Sequence, residues 1–136
     1  MSATVSEQDA VGVVRRAYED FKTGNIAGIL NNVTDDVDWR LPEIAGAEFA
    51  GQRKGRDSVA GFFSSLAEQQ DSVSFEPREF VAQGEKVVAL GSYRWRVKKN
   101  GREYGGDWAH AFTVRDGKIT AFHEYMDTGA AHAAYA

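Results

Sequence analysis

The chain has no cysteine in its 136 residues, which excludes disulfides, thiolate nucleophiles and Cys-ligated zinc and leaves no clue to redox compartment. Proline occurs only twice, so there is no Pro-rich linker. No apolar run reaches the roughly 18 residues of a membrane-spanning helix. The first fourteen residues lack a basic segment followed by an apolar one, so a cytoplasmic protein without membrane attachment is expected. Positive charge is also scarce: 16 Lys and Arg stand against 20 Asp and Glu, a net charge of -4. That is the opposite of a phosphate-binding footprint, and nucleic acid is not an expected partner.

What is present suits a soluble fold, with 43% hydrophobic and 26% charged residues. The length fits one domain, 1–136, in which about two thirds of the unfolded chain's surface can be buried and a small cavity tolerated. The first half reads helical. Ser6 is a candidate cap, followed by Val11, Val14, Tyr18 and Phe21 on one stripe. Thr23-Gly24-Asn25 ends that helix, and Asn25 can cap a short second one carrying Ile26, Ile29, Leu30 and Val33. Val37, Trp39 and Leu41 alternate with charged residues, the period of a half-buried strand closed by Pro42. Residues 43–54 read as a loop, and a third helix runs from about Arg56 to Gln70 with Val59, Phe62, Phe63 and Leu66 inward.

From Val73 onward the pattern is strand, in four runs separated by Gly84, Asn100-Gly101 and Asp116-Gly117. Pro77 marks the first of these as an edge strand or a bulged one. Helices first and strands last predict α+β, with helices packed on a curved antiparallel sheet. Two registers remain open for the last hairpin. A two-residue turn pairs Arg115 with Lys118 and sets Trp108 and His110 with His123 and Tyr125. A bulge at Gly117 pairs Val114 with Lys118 and sets Trp108, His110 and Phe112 with Phe122, Glu124 and Met126.

The segments YEDFKTGN (18–25), DDVDW (35–39), GRDSVAGFF (55–63), WAHAF (108–112) and GKITAFHEYMD (117–127), in this order and spacing, resemble the SnoaL-like polyketide cyclases of the nuclear transport factor two-like, or ketosteroid isomerase-like, superfamily. The resemblance implies a cone in which a curved sheet wraps around the helices and encloses a pocket. It also implies an acidic catalytic residue at Glu124, a functional histidine at His110 and the bulged register. Extended across Asn100-Gly101, that register places Leu90, Ser92, Arg94 and Arg96 inside and leaves Tyr93, Trp95, His123 and Tyr125 as an aromatic row outside. A homodimer through the outer sheet face then follows as an expectation.

The chain departs from the classical isomerases, whose proton-shuttling Asp and oxyanion-binding Tyr correspond here to Leu41 and Ala17. It departs from the epoxide hydrolase branch at Ser92 and Arg94, and at Trp39 and Leu41. Isomerisation of steroids by the classical route is therefore disfavoured.

The expected chemistry is cofactor-free acid/base work on a small hydrophobic carbonyl compound, of isomerase, cyclase or dehydratase type. Glu124 would be the base, His110 its partner and Arg94 the cation meeting negative charge. Trp39, Phe62, Phe63, Leu90, Ser92, Trp108, Phe112, Phe122 and Met126 would line the ligand pocket. Each has a plainer alternative: an ion pair of Glu124 with an arginine, a structural His110, aromatics that are simply core. His110, His123 and His132 lack metal-ligand spacing, and no metal is expected. A noncatalytic ligand-binding or dimerisation module of the same fold is the alternative function.

Overall fold

The computed structural model describes residues 3–136, with side chains from residue 7 onward. In chain order the elements are α1 (Ala3–Thr23), α2 (Ile26–Asn31), β1 (Val33–Arg40), β2 (Gln52–Lys54), α3 (Arg56–Gln69), β3 (Gln70–Gln83), β4 (Lys86–Val97), β5 (Glu103–Arg115), β6 (Lys118–Tyr125) and α4 (Thr128–Tyr135). The strands form one curved, open sheet in the order β2-β1-β6-β5-β4-β3. β1 runs parallel to β6, so the sheet is mixed where the sequence predicts an antiparallel one. The fold is α+β, and no described helix is long and apolar enough to cross a membrane.

Local chemistry explains most boundaries. α1 already contains Ser6, so that residue does not cap it. Gly24 stops α1 at φ 77°, a conformation glycine adopts without steric cost. Asn25 then caps α2 by accepting from the Gly28 amide at 3.1 Å. α3 turns Val59, Phe62, Phe63 and Leu66 into the core, the stripe its spacing predicts. Pro77 lies on the sheet-edge strand β3, beside a register shift between Pro77 and Glu79. A ladder position with no N–H to give is tolerated there. β2 lies in the stretch expected to be loop, pairing Trp39 with Arg53.

Two hairpins decide which side chains face the helices. Asp116 and Gly117, at φ 54° and 77°, make a two-residue turn, and Arg115 pairs with Lys118. The bulge expected at Gly117 sits three residues later: Val114 pairs with Ile119 and Thr113 with Ala121, so Thr120 is the extra residue. One inserted residue anywhere in that stretch exchanges faces. His110 consequently pairs with Glu124 and Phe112 with Phe122, the facing relation expected, reached by a different bulge.

The β4–β5 connection corrects the expected register. Its loop is four residues, 98–101, closed by the Val97 amide on the Arg102 carbonyl at 2.7 Å, so Ala89 pairs with His110 and Gly91 with Trp108. A three-residue loop would have brought Leu90, Ser92, Arg94 and Arg96 inside. Four residues reverse the parity and bring in Val87, Ala89, Tyr93, Trp95 and Val97, all buried. At Gly91 a Cβ would collide with the Trp108 indole and the Glu76 carbonyl, so the large ring opposite requires glycine there.

Candidate functional site

Between the concave sheet face and helices α1 and α3 lies a cavity of about 90 Å³, of the same order as the ~150 Å³ of a dry cavity able to take benzene. Its wall is overwhelmingly apolar. Trp39 stacks on Phe122 at 4.2 Å and meets Phe62 and Phe63 at 5.6 and 5.8 Å. Phe49, Leu41 and Ile44 close one side.

A hydrogen-bonded relay crosses this wall. The Tyr18 hydroxyl meets His110 Nδ1 at 2.8 Å, and His110 Nε2 meets Glu124 Oε2 at 2.8 Å. His110 and Glu124 are 5% and 7% exposed, so water does not satisfy these groups in the protein's place. Burial, reinforced by the Glu124 charge, pushes the Tyr18 phenol well above its ordinary pKa, and it keeps its proton to donate. An imidazole protonated at Nε2 alone satisfies both bonds, with Tyr18 O–H donating to Nδ1 and Nε2–H donating to the carboxylate. Trp108 stacks on the imidazole at 3.9 Å and holds the ring flat.

A second polar cluster borders the same hollow. Gln70, 3% exposed at the junction of α3 and β3, receives the Tyr104 and Tyr135 hydroxyls on Oε1 at 2.8 and 2.5 Å. Tyr135 belongs to α4, whose N-terminus Asp127 caps through the Ala130 amide at 3.0 Å. The Tyr135 ring also lies 6.0 Å from Phe49 and 6.2 Å from Tyr104, so α4 packs behind this end of the wall. Tyr93 stands beside Glu124, and burial first, then that carboxylate, pushes its phenol strongly up.

Of the residues singled out in the sequence, Glu124, His110, Trp39, Phe62, Phe63, Phe112, Phe122 and Met126 border the cavity. Trp108 does not; it is 3% exposed behind His110. Three expectations are corrected. Arg94 points away from the hollow, its side chain 53% exposed and bound to Glu103 at 2.6 Å. Leu90 is 36% exposed, and Ser92, pairing with Glu76 and Asp107, shares the outer face. The cause is the four-residue β4–β5 loop. The same parity brings Tyr93 and Trp95 inside, so of the aromatic row expected outside only His123 and Tyr125 remain there.

Sequence reasoning did not single out Tyr93, Trp95, Tyr104 or Gln70 for the pocket, and noted Tyr18 only on the stripe of the first helix and in the YEDFKTGN segment. Strand alternation would have found Tyr93, Trp95 and Tyr104 once the loop length was known. No local signal joins Tyr18 to His110. Among the described residues no cluster of His, Asp or Glu could hold a metal ion.

A curved open sheet over helices, with a buried His–Glu pair in an apolar hollow, defines a cone-type α+β fold. Residues 14–122 match the family described as the SnoaL-like domain, and the chain belongs to it. Among solved structures, a nuclear transport factor two-like protein from Burkholderia xenovorans LB400 is 34% identical with a TM-score of 0.86, over 96% of this chain and 98% of that one. TerC, crystallised with polyporic acid, is 28% identical with a TM-score of 0.83 over 93% and 98%. A protein of unknown function from Burkholderia pseudomallei K96243 is 27% identical with a TM-score of 0.81 over 89% and 92%. A search of curated proteins returned no match.

Proposed function

We propose that this protein is a cofactor-free acid/base enzyme of isomerase, cyclase or dehydratase type acting on a small hydrophobic carbonyl compound. Glu124 is the base, His110 its partner, and Tyr18 holds His110 in place. The observation that carries this reading is the 2.8 Å bond between His110 Nε2 and one oxygen of a buried carboxylate, whose other oxygen is left for a ligand. A C–H proton next to the substrate carbonyl passes to Glu124 and returns at another carbon or departs with a leaving group, while the enolate oxygen takes a hydrogen bond from a protonated phenol. That TerC was crystallised with polyporic acid supports a small-molecule occupant for a hollow of this fold.

The test is deuterium exchange at the carbon next to the carbonyl of single-ring ketones such as cyclohexanone. Exchange lost in Glu124→Gln, with the fold and ketone binding retained, is the expected result. Binding without any exchange in the wild type overturns catalysis and leaves the alternative, a ligand-binding module, which the absence of a carboxylate at Leu41 and of a cation in the hollow favours.

We also propose a homodimer through the outer sheet face. Val81, Leu90 and Tyr125 are 60%, 36% and 54% exposed there, on β3, β4 and β6, and a partner surface would cover them. Sedimentation of Leu90→Lys against the wild type tests it, and a monomeric wild type would refute it.

A further inference from the structure

Among the described residues, the side chains bordering the hollow include one carboxylate, Glu124, and neither lysine nor arginine. Arg94, the cation expected to serve it, projects with Arg96 from the opposite face of β4, where Glu103 binds them at 2.6 and 3.0 Å. From this charge distribution we propose that the hollow admits its ligand only in uncharged form, and that Glu124 and Tyr93 together receive the ligand's hydroxyl or enol group. The proposal rests on the reading of the hollow as a ligand site and narrows it to a class: neutral phenols, enols and enolisable ketones of about one ring.

With His110 neutral, the pair Glu124–His110 carries one negative charge; with His110 protonated its net charge is zero, the imidazolium being taken by Glu124 at 2.8 Å. In neither state is there a net positive charge to offset an anion stripped of its water. Phe62, Phe63, Phe112 and Phe122 offer it no hydrogen bonds, and the one unpartnered donor of Trp39, its indole N–H, is uncharged, so an acid entering here retains its proton. A neutral O–H loses only its hydration bonds and recovers them. Glu124 Oε2 is taken by His110, which leaves the second carboxylate oxygen as an acceptor for the ligand hydroxyl. The Tyr93 phenol beside it, 7% exposed and kept protonated by burial and by the Glu124 carboxylate it faces, would turn its O–H from that carboxylate to the ligand oxygen as the ligand hydroxyl takes its place on Glu124. Donor and acceptor side by side match a hydroxyl, which is both.

The probe is 4-nitrophenol, a single ring that titrates near neutrality and whose phenolate is yellow while the phenol is nearly colourless. Near its own pKa, addition of the protein is expected to bleach the yellow, with the phenol bound at least about tenfold more tightly than the phenolate. Glu124→Gln should lower that ratio while the phenol remains the tighter-bound form, because the hollow stays apolar and without a cation, and Tyr93→Phe should weaken the phenol about three- to tenfold, the loss of one hydrogen bond. Arg94→Gln serves as the control and should change neither. A deepening of the yellow on binding, or phenolate bound as tightly as phenol by the wild type, overturns the proposal. Absence of binding by either form, with no change in the ring signals of Trp39 and Phe62 by NMR, overturns instead the reading of the hollow as a ligand site. Should Tyr93→Phe fail to fold, the wild-type colour change and Glu124→Gln still decide.

Discussion

Replacing Tyr18 by Phe deletes one oxygen from the middle of the molecule and leaves the ring where it was. That ring lies within 5.8 to 6.0 Å of Phe75, Phe80, Trp108, His110 and Phe112, so apolar packing is conserved and no ring-sized cavity forms. What is lost is the 2.8 Å bond to His110 Nδ1, and a nitrogen 5% exposed in its residue is left without a partner. Leaving a buried acceptor unsatisfied costs about 1–3 kcal/mol. For a chain of this length that corresponds to a fall in Tm on the order of 5 to 10 °C. The His110 ring, no longer fixed from one side, should also change its proton arrangement. Calorimetry gives the first quantity, and nitrogen chemical shifts of the histidines give the second. If Tyr18→Phe melts within about 1 °C of the wild type and leaves the His110 nitrogen shifts unchanged, the relay does not exist as described. Tyr18→Ala, which removes the ring as well, should cost about 3–5 kcal/mol through the cavity it opens.

Alkaline pH offers a second test, because the phenols of Tyr18, Tyr93 and Tyr104 are all raised by burial. In the unfolded chain they lose their protons near pH ~10 while the folded protein retains them, so the stability they contribute is intact below that pH and lost above it. Each should add a slope of about 1.4 kcal/mol per pH unit, and urea midpoints should fall steeply above pH ~10, with phenolate absorbance rising only on unfolding. Arg94→Ala should change stability by no more than about 1 kcal/mol, as for an exposed ion pair, and leave any exchange activity intact; a large loss of activity would place the guanidinium in the mechanism after all. Tyr135→Ala should unblock one end of the hollow, and acrylamide quenching of the three tryptophans, which are 3% to 6% exposed, should then rise severalfold in a protein that still melts cooperatively. Quenching equal to the wild type would mean that α4 does not guard the cavity.

Wherever a signal is local, the sequence by itself determined the outcome. The Gly24 stop and the Asn25 cap, the inward stripe of α3, the edge or bulge marked by Pro77 and the position of a turn at Asp116-Gly117 follow from backbone preference and from the 3.6 and 2.0 periods of helix and strand. The tertiary structure decided the face of each strand. A loop of four residues at 98–101 in place of three, and an extra residue at Thr120 in place of Gly117, differ by amounts that turn preferences do not resolve; the first reverses which side chains of β4 face the helices, and the second leaves those beyond Thr120 on the expected face. The first of these turned Arg94 to solvent and Tyr93 to the hollow; the second kept Glu124 opposite His110. Likewise the bond between Tyr18 and His110 joins residues 92 positions apart. Contacts at such separation form only once the sheet has curved over the helices, because chain-neighbour energetics carry no information about which distant polar group will meet a buried nitrogen.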